Sequence, residues 1–592
     1  MLEAELMAVG KRILECEHFG PGMTMDSLPE WTSLKHVLLL GEIAERFKVP
    51  IEIEDAYRLD SFSRLLAHIA SHVAPLQKGY EYDNIGALLC ARSRELGDSS
   101  FLIFPKEKIN YTYAATHRIA SVALRTLERE GLRNGDRFCL VFPNGPEFLL
   151  YYFAAHLLGL ILVPINPTLA PEEMRFIIEN CGSRLALFHR DLTKSQLAVE
   201  KLLPGASRLA APGSGFEREA LEAAASDVTA EATDRGLDDD AVILYTSGTT
   251  GKPKGVVLSH RNFLADAEAL VTWFNFKQRT RTLCLLPMFH NNGQVITLLS
   301  PMLVGGDTVI VDGKSALSSF WKLVFDYQVQ WTSVMPAFLA ALLEFRLDRR
   351  DASLLGVICG GQVLLDEIRA RFEAEYHVPI FEGFGLTETT SFSSMNAYPA
   401  EKRRFGSIGR ALPCNKMKIV RDDGTDAAAE ETGQILILGD NVARRYHNLP
   451  ELTNERFVDG WLQTGDYGHR DTEGNFYFAT RLDDLIIKGG ENIYPSEIEN
   501  ILHANDDVVE CAAFGIPDPI LGQDVCVYVK TRDSASVSSA DLSHYLRGKI
   551  AQFKQPRHIV MLNDLTDMAE LPKGPTRKIL RGKLQEHFAA LH

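Results

Sequence analysis

The chain has 592 residues, 46% hydrophobic and 24% charged, a balance typical of folded domains and a length that allows several cores. Its formal charge of −16 argues against non-specific nucleic-acid binding, which needs a basic face. Nine cysteines are scattered with no C-x-x-C pair, which argues against a zinc site or disulfide framework and fits buried thiols in a reducing, cytoplasmic setting.

Residues 1–76 read as a small four-helix unit. "EAELMAVGKRILE" has helical apolar spacing, and from Leu34 the positions 37, 40, 43, 44 and 47 are apolar or small. Within it, "EWTSLKHVLLL" (30–40) marks a helix start that either Thr32 or Ser33 can cap. No basic segment with an apolar run opens the chain, so no secretory signal is expected. "APLQKGYEYDN" supplies a linker, placed at 77–84.

From residue 85 the texture changes. "RFCLVF", "LILVPI", "RLALFH", "AVILYT", "TVIVD" and "LGVICGG" read as buried strands between helical stretches such as "APEEMRFIIENC". That alternation predicts an α/β fold with parallel sheets covered by helices. The apolar run from Phe148, "FLLYYFAAHLLGLILVPI", is broken by His156, Gly159 and Pro164. It predicts a buried helix and strand, not a membrane span. The polar, Ala-rich stretch 211–240 reads as a surface excursion.

The segment "ILYTSGTTGKPKGVVLSHRN" (243–262) carries the densest chemical signal. Glycines let backbone N–H groups approach an anion, the hydroxyls of Thr246, Ser247, Thr249 and Thr250 add donors, and Lys252 and Lys254 add charge. These properties suit a polyphosphate. Pro253 after Lys252 rules out a Walker A loop, and no dinucleotide fingerprint is present.

The loop resembles the phosphate-binding signature of the adenylate-forming superfamily, which includes acyl-CoA synthetases, firefly luciferase and peptide-synthetase adenylation domains. "LPMFHNNG" (286–293), "FEGFGLTETT" (381–390), "WLQTGDYG" (461–468), "RLDDLIIKGGENIYPSEIE" (481–499), "FGIPDPILGQ" (514–523) and "LPKGPTRKILR" (571–581) follow in the family's order. The resemblance implies a large multi-sheet domain over 85–482 and a small mobile α+β lid over 483–592. It also implies the family chemistry: a carboxylate attacks the α-phosphate of ATP, giving an acyl-adenylate and pyrophosphate.

Residue by residue, the resemblance gives Thr246, Ser247, Gly248, Thr249, Thr250, Gly251, Lys252 and Lys254 to the β- and γ-phosphates. Thr387 would bind the α-phosphate, and Glu388 would help place Mg²⁺, a hard cation that prefers oxygen. Gly361, Gln362, Glu382, Gly383 and Phe384 would border the nucleotide, Asp466 would accept the ribose hydroxyls and Arg481 would assist there. Lys578 matches the catalytic lysine that bridges carboxylate and α-phosphate. In the second half-reaction the lid would pivot at Asp483, bringing Gly489 and Gly490 to line a pantetheine tunnel while His290 shifts for the thiol. Thr480, Arg577 and Gly574 depart from the family's usual residues around Arg481 and Lys578.

Peptide-synthetase domains usually carry Asp where His290 stands, so an α-amino acid is disfavoured and an uncharged carboxylic acid preferred. The N-terminal unit resembles an acyl carrier protein, and "WTSLKH" resembles its W-D-S-L motif, with Thr32 replacing Asp. The resemblance makes Ser33 the phosphopantetheine attachment point, with a phosphopantetheinyl transferase and downstream carrier-protein enzymes as implied partners. Two alternatives stand beside self-loading: a ligase using free CoA or a separate carrier with a degenerate bundle, and a non-catalytic acyl-adenylate-binding scaffold.

Overall fold

A computed structural model describes the chain except residues 1, 48–50, 52–58, 63, 67–79, 203–207, 211–216, 226–228, 247–252, 345–352, 363, 482–483, 489–490, 533–534, 536, 548, 574–578 and 592. It divides into two compact units, residues 1–79 and 80–592.

In the first unit, helices Leu2–Leu14 and Ser33–Phe47 pack over Leu6, Val9, Phe19, Trp31, Leu39, Ile43, Phe62 and Leu65. Phe19 sits edge-on to both Trp31 and Phe62, at 5.4 and 5.2 Å between ring centres. The expected four-helix count falls largely on residues 48–79, most of which lie outside the described residues.

In the second unit, the apolar runs read from the sequence become strands of two large sheets. One holds Trp331–Val334, Gly356–Cys359 and Ile380–Phe384 in parallel with Arg281–Cys284, Asp307–Ile310 and Ser100–Phe104. The other holds Asp240–Thr246, Ile161–Pro164, Arg137–Val141, Leu185–Phe188 and Arg208–Ala210 in parallel. Parallel strands need both faces covered, which explains their continuous Val/Ile/Leu runs. The run from Phe148 forms part of helix Pro146–Leu158, buried at every position, and strand Ile161–Pro164. Among the described residues, no helix is long and apolar enough to cross a membrane.

The Ala-rich stretch is more integrated than a surface excursion. In helix Arg218–Ala223, Leu221 is buried, and Glu222 accepts a hydrogen bond from Tyr111 and pairs with Arg218. Downstream, Ala230 carbonyl meets the His117 ring at 2.7 Å. Regular spacing of small residues does not reveal such pairing to side chains a hundred positions away.

A third, antiparallel sheet contains Trp461–Arg470 and Phe476–Arg481. The C-terminal residues build an α+β layer in which Val508–Asp518 and Gly522–Thr531 form a long antiparallel pair and helices Pro495–His503 and Arg581–Leu591 pack against it.

Candidate active site

In a parallel sheet all strands end at one edge, and that edge is where α/β folds bind ligands. After Arg281–Cys284 the chain reaches His290, after Gly356–Cys359 it reaches Gly361 and Gln362, and after Ile380–Phe384 it reaches Thr387 and Glu388. These sequence-predicted residues therefore share one edge. Asn144, which follows Arg137–Val141 of the other sheet, fastens the two edges together. Its amide donates to the carbonyls of Leu286 (2.9 Å) and Val311 (3.2 Å), and its oxygen accepts from Met288 N–H at 2.7 Å.

The phosphate-loop candidate closes a β-hairpin between Asp240–Thr246 and Lys254–Ser259, with Thr246 opposite Lys254. Ser247, Gly248, Thr249, Thr250, Gly251 and Lys252 lie outside the described residues. Thr246 Oγ1 is buried without a hydrogen-bond partner, a donor available to an anion. Lys254 reaches the opposite sheet, its Nζ 3.0 Å from Glu388 Oε1.

Glu388 sits in the tight turn Thr387–Thr389 and is buried. Burial alone would raise its pKa. The charge of Lys254 and hydrogen bonds from Tyr446 and Lys254 outweigh that cost, so the carboxyl lies below its ordinary range and is ionised at neutral pH. An ionised oxygen donor fits a hard divalent cation. The turn can form because Gly385 has no side chain: a Cβ there would lie 1.7 Å from the Ser391 carbonyl oxygen.

Asp466 and Arg481 stand opposite each other on paired strands, with Arg481 Nε 3.3 Å from Asp466 Oδ1. Asp466 is buried while Arg481 is exposed, so a fixed carboxylate faces an adaptable cation. Thr480 packs into the same strand and is buried.

The His290 side chain is exposed at this edge, yet the protein around it displaces enough water to lower its pKa to about 4, so the imidazole is neutral at pH 7. Burial pushes the half-buried Glu382 up to about 7, partly offset by the Leu364 backbone amide. Gly383 is packed so closely that a Cβ would meet Met395 Cε at 2.5 Å, and the Phe384 ring lies 6.2 Å from Phe478. Gly361 has φ +82°, which an L side chain resists.

Lys578, Asp483, Gly489 and Gly490 lie outside the described residues. Their neighbours do not. Asp484 and Glu499 both pair with Arg581, at 3.1 and 2.7 Å, and Lys573 bridges Ile579 across the segment that contains Lys578.

Sequence reasoning passed over Asn144 and Tyr446. Both stand in loop-like text, "FPNGPE" and "ARRYHN", and only folding brings them to this edge.

Comparison with known proteins identifies the family. The AMP-binding enzyme family matches residues 91–447, and the AMP-binding enzyme C-terminal domain matches 497–573. The chain belongs to the AMP-binding enzyme family. It is 32% identical to a sulfoacetate–CoA ligase of Cupriavidus necator over 86% of this chain and 98% of that one. It is 31% identical to a long-chain-fatty-acid–CoA ligase of Mycobacterium tuberculosis over 86% and 99%. Among solved structures, o-succinylbenzoate coenzyme A synthetase of Bacillus subtilis with ATP and magnesium ion superposes with TM-score 0.73 at 29% identity, covering 84% of this chain and 99% of that one.

Proposed function

We propose that this protein is an ATP-dependent acid–thiol ligase that activates a non-amino carboxylic acid as its acyl-adenylate and passes the acyl group to a pantetheine thiol. The observation that carries the reading is the Lys254–Glu388 contact. It places the closing residue of a glycine- and hydroxyl-rich hairpin against an ionised carboxylate at the C-terminal edge of the neighbouring sheet.

In this reading Thr246 and Lys254, with the loop between them, hold the outer phosphates, Thr387 holds the α-phosphate and Asp466 with Arg481 holds the ribose. Glu388 would hold Mg²⁺, which when bound neutralises phosphate charge. Lys578 bridges the attacking carboxylate and the α-phosphate, and His290 borders the acid. Donors fixed before reaction stabilise developing phosphate charge without reorganisation. Residues 483–592 act as the lid, turning at Asp483 to present Gly489 and Gly490 to the thiol. The relatives act on acids as different as sulfoacetate and long-chain fatty acids, so the family does not narrow the acid beyond the absence of a carboxylate at His290.

Free CoA is the acceptor that the relatives' names support. A specific observation favours a second acceptor on the chain itself. Thr32 Oγ1 accepts from Lys35 N–H at 3.4 Å, and its carbonyl from His36 N–H at 2.8 Å, so Thr32 takes the helix cap. Ser33 is then the first helical residue, with its side chain exposed. Intact-protein mass after co-expression with a broad phosphopantetheinyl transferase tests this. The expected result is a pantetheine-sized increase that Ser33→Ala removes, followed by acyl loading with ATP and acid. No increase with several transferases, alongside thioester formation on free CoA, would leave CoA as the acceptor.

A further inference from the structure

Tyr446 lies in the two-residue edge strand Arg445–Tyr446, which pairs with the strand that Lys254 begins, opposite Val256. Its hydroxyl donates to Glu388 Oε1 at 2.7 Å, the same oxygen that Lys254 Nζ approaches at 3.0 Å. Lys254 Nζ is also 3.3 Å from the Tyr446 hydroxyl and 4.7 Å from its ring centre. The phenol is held from behind: its ring packs 5.5 Å from Phe457, and its backbone N–H donates to Thr453 Oγ1 at 3.0 Å.

The residues leading to Tyr446 grip the same turn. Ala443 N–H donates to the Glu388 carbonyl at 2.8 Å, and Thr390 Oγ1 donates to the Asn441 carbonyl at 2.7 Å. Thr390 has φ +64° and ψ −69°, a conformation that a β-branched residue adopts only where its surroundings impose it. Segment 441–446 therefore fixes the turn at its carboxylate, at a carbonyl and at a strained residue.

We propose that Tyr446 is a positioning residue that aims the Glu388 carboxylate toward a magnesium–nucleotide, holding it in place when Lys254 turns from Glu388 to phosphate. Lys254 alone cannot do this. It is one flexible cation with two anionic claimants, and a carboxylate held only by Lys254 would follow it. A phenol fixed by strand pairing and ring packing stays where it is and still donates. The proposal rests on the ligase reading above and deepens it.

The test is calorimetric titration of ATP into the full-length protein, with Mg²⁺ and separately with EDTA, so that the readout is the metal-linked gain in affinity. In Tyr446→Phe that gain should shrink about tenfold, the scale of one lost charge-assisted hydrogen bond, with metal-free ATP affinity within about twofold of wild type. An unchanged gain, or an equal loss with and without Mg²⁺, would overturn the proposal. Glu388→Gln separates it from the underlying reading. If Glu388→Gln abolishes the gain and Tyr446→Phe keeps it, only the Tyr446 role fails. If wild-type protein shows no metal-linked gain, the magnesium role of Glu388 fails and Tyr446 goes with it.

Discussion

Asp266 shows how a single buried group is shaped by this site. It is fully buried in helix His260–Phe274, and its carboxyl faces the backbone N–H groups of Ser391 and Phe392 and the Asn441 amide without reaching full hydrogen-bond geometry. Burial drives its pKa well above the usual carboxylate value, and those donors offset only part of the shift. The folded protein thus retains a proton that the unfolded chain gives up, so this group's contribution makes stability fall as pH rises above about 4. Asp266→Asn is neutral and nearly isosteric, and should remove that slope, raising the melting temperature at pH 7–8. The expected difference grows by up to about 1.4 kcal/mol per pH unit until the folded pKa is reached. A variant less stable than wild type at pH 8, measured by thermal melts across pH, would show that the carboxyl is ionised in place. A lone Asp in "FLADAEAL" carries no sign of this, because its environment comes from residues more than a hundred positions away.

At the scale of elements, the helix after the Asp240–Ser259 hairpin begins with a local capping box. Ser259 Oγ accepts from Asn262 N–H at 3.3 Å, and Asn262 Oδ1 accepts from Ser259 N–H at 2.7 Å. Asn262 does more: its Nδ2 donates to the carbonyls of Asp440 (2.8 Å) and Val442 (3.0 Å), tying the helix to the segment that grips Glu388. Ser259→Ala should cost about 1 kcal/mol, the ordinary worth of a cap. Asn262→Ala should cost about 2–4 kcal/mol, since it also leaves buried carbonyls unmet, and should weaken ATP binding. Denaturant titration of both variants checks the order, and equal losses would reduce Asn262 to a cap. Strands were legible because a parallel strand buried on both faces has to be a short apolar run, as "AVILYT" and "RLALFH" are. The π-helix Val295–Leu299 and the strand Arg445–Tyr446 were not. Their backbone geometry answers to packing partners, and neither "VITLL" nor "RY" has a periodicity of its own.

For the whole molecule, ordered motifs made the family readable because each was local: a hairpin, a turn, a pair of strands. The Lys254–Glu388–Tyr446 contact joins three such pieces, and its partners are set by topology, so the sequence names two members and omits the third. The same holds for Asn144, which unites two sheets from a plain loop. The central claim is that this edge makes acyl-adenylates. Acid-dependent exchange of pyrophosphate into ATP measures that step alone, without regard to the thiol acceptor. With a panel of aliphatic, aromatic and hydroxylated acids, wild-type protein should show exchange that requires an acid and Mg²⁺, and Lys578→Ala should reduce it by about a hundredfold or more. Exchange with none of the acids despite ATP binding, or full exchange in Lys578→Ala, would contradict the account.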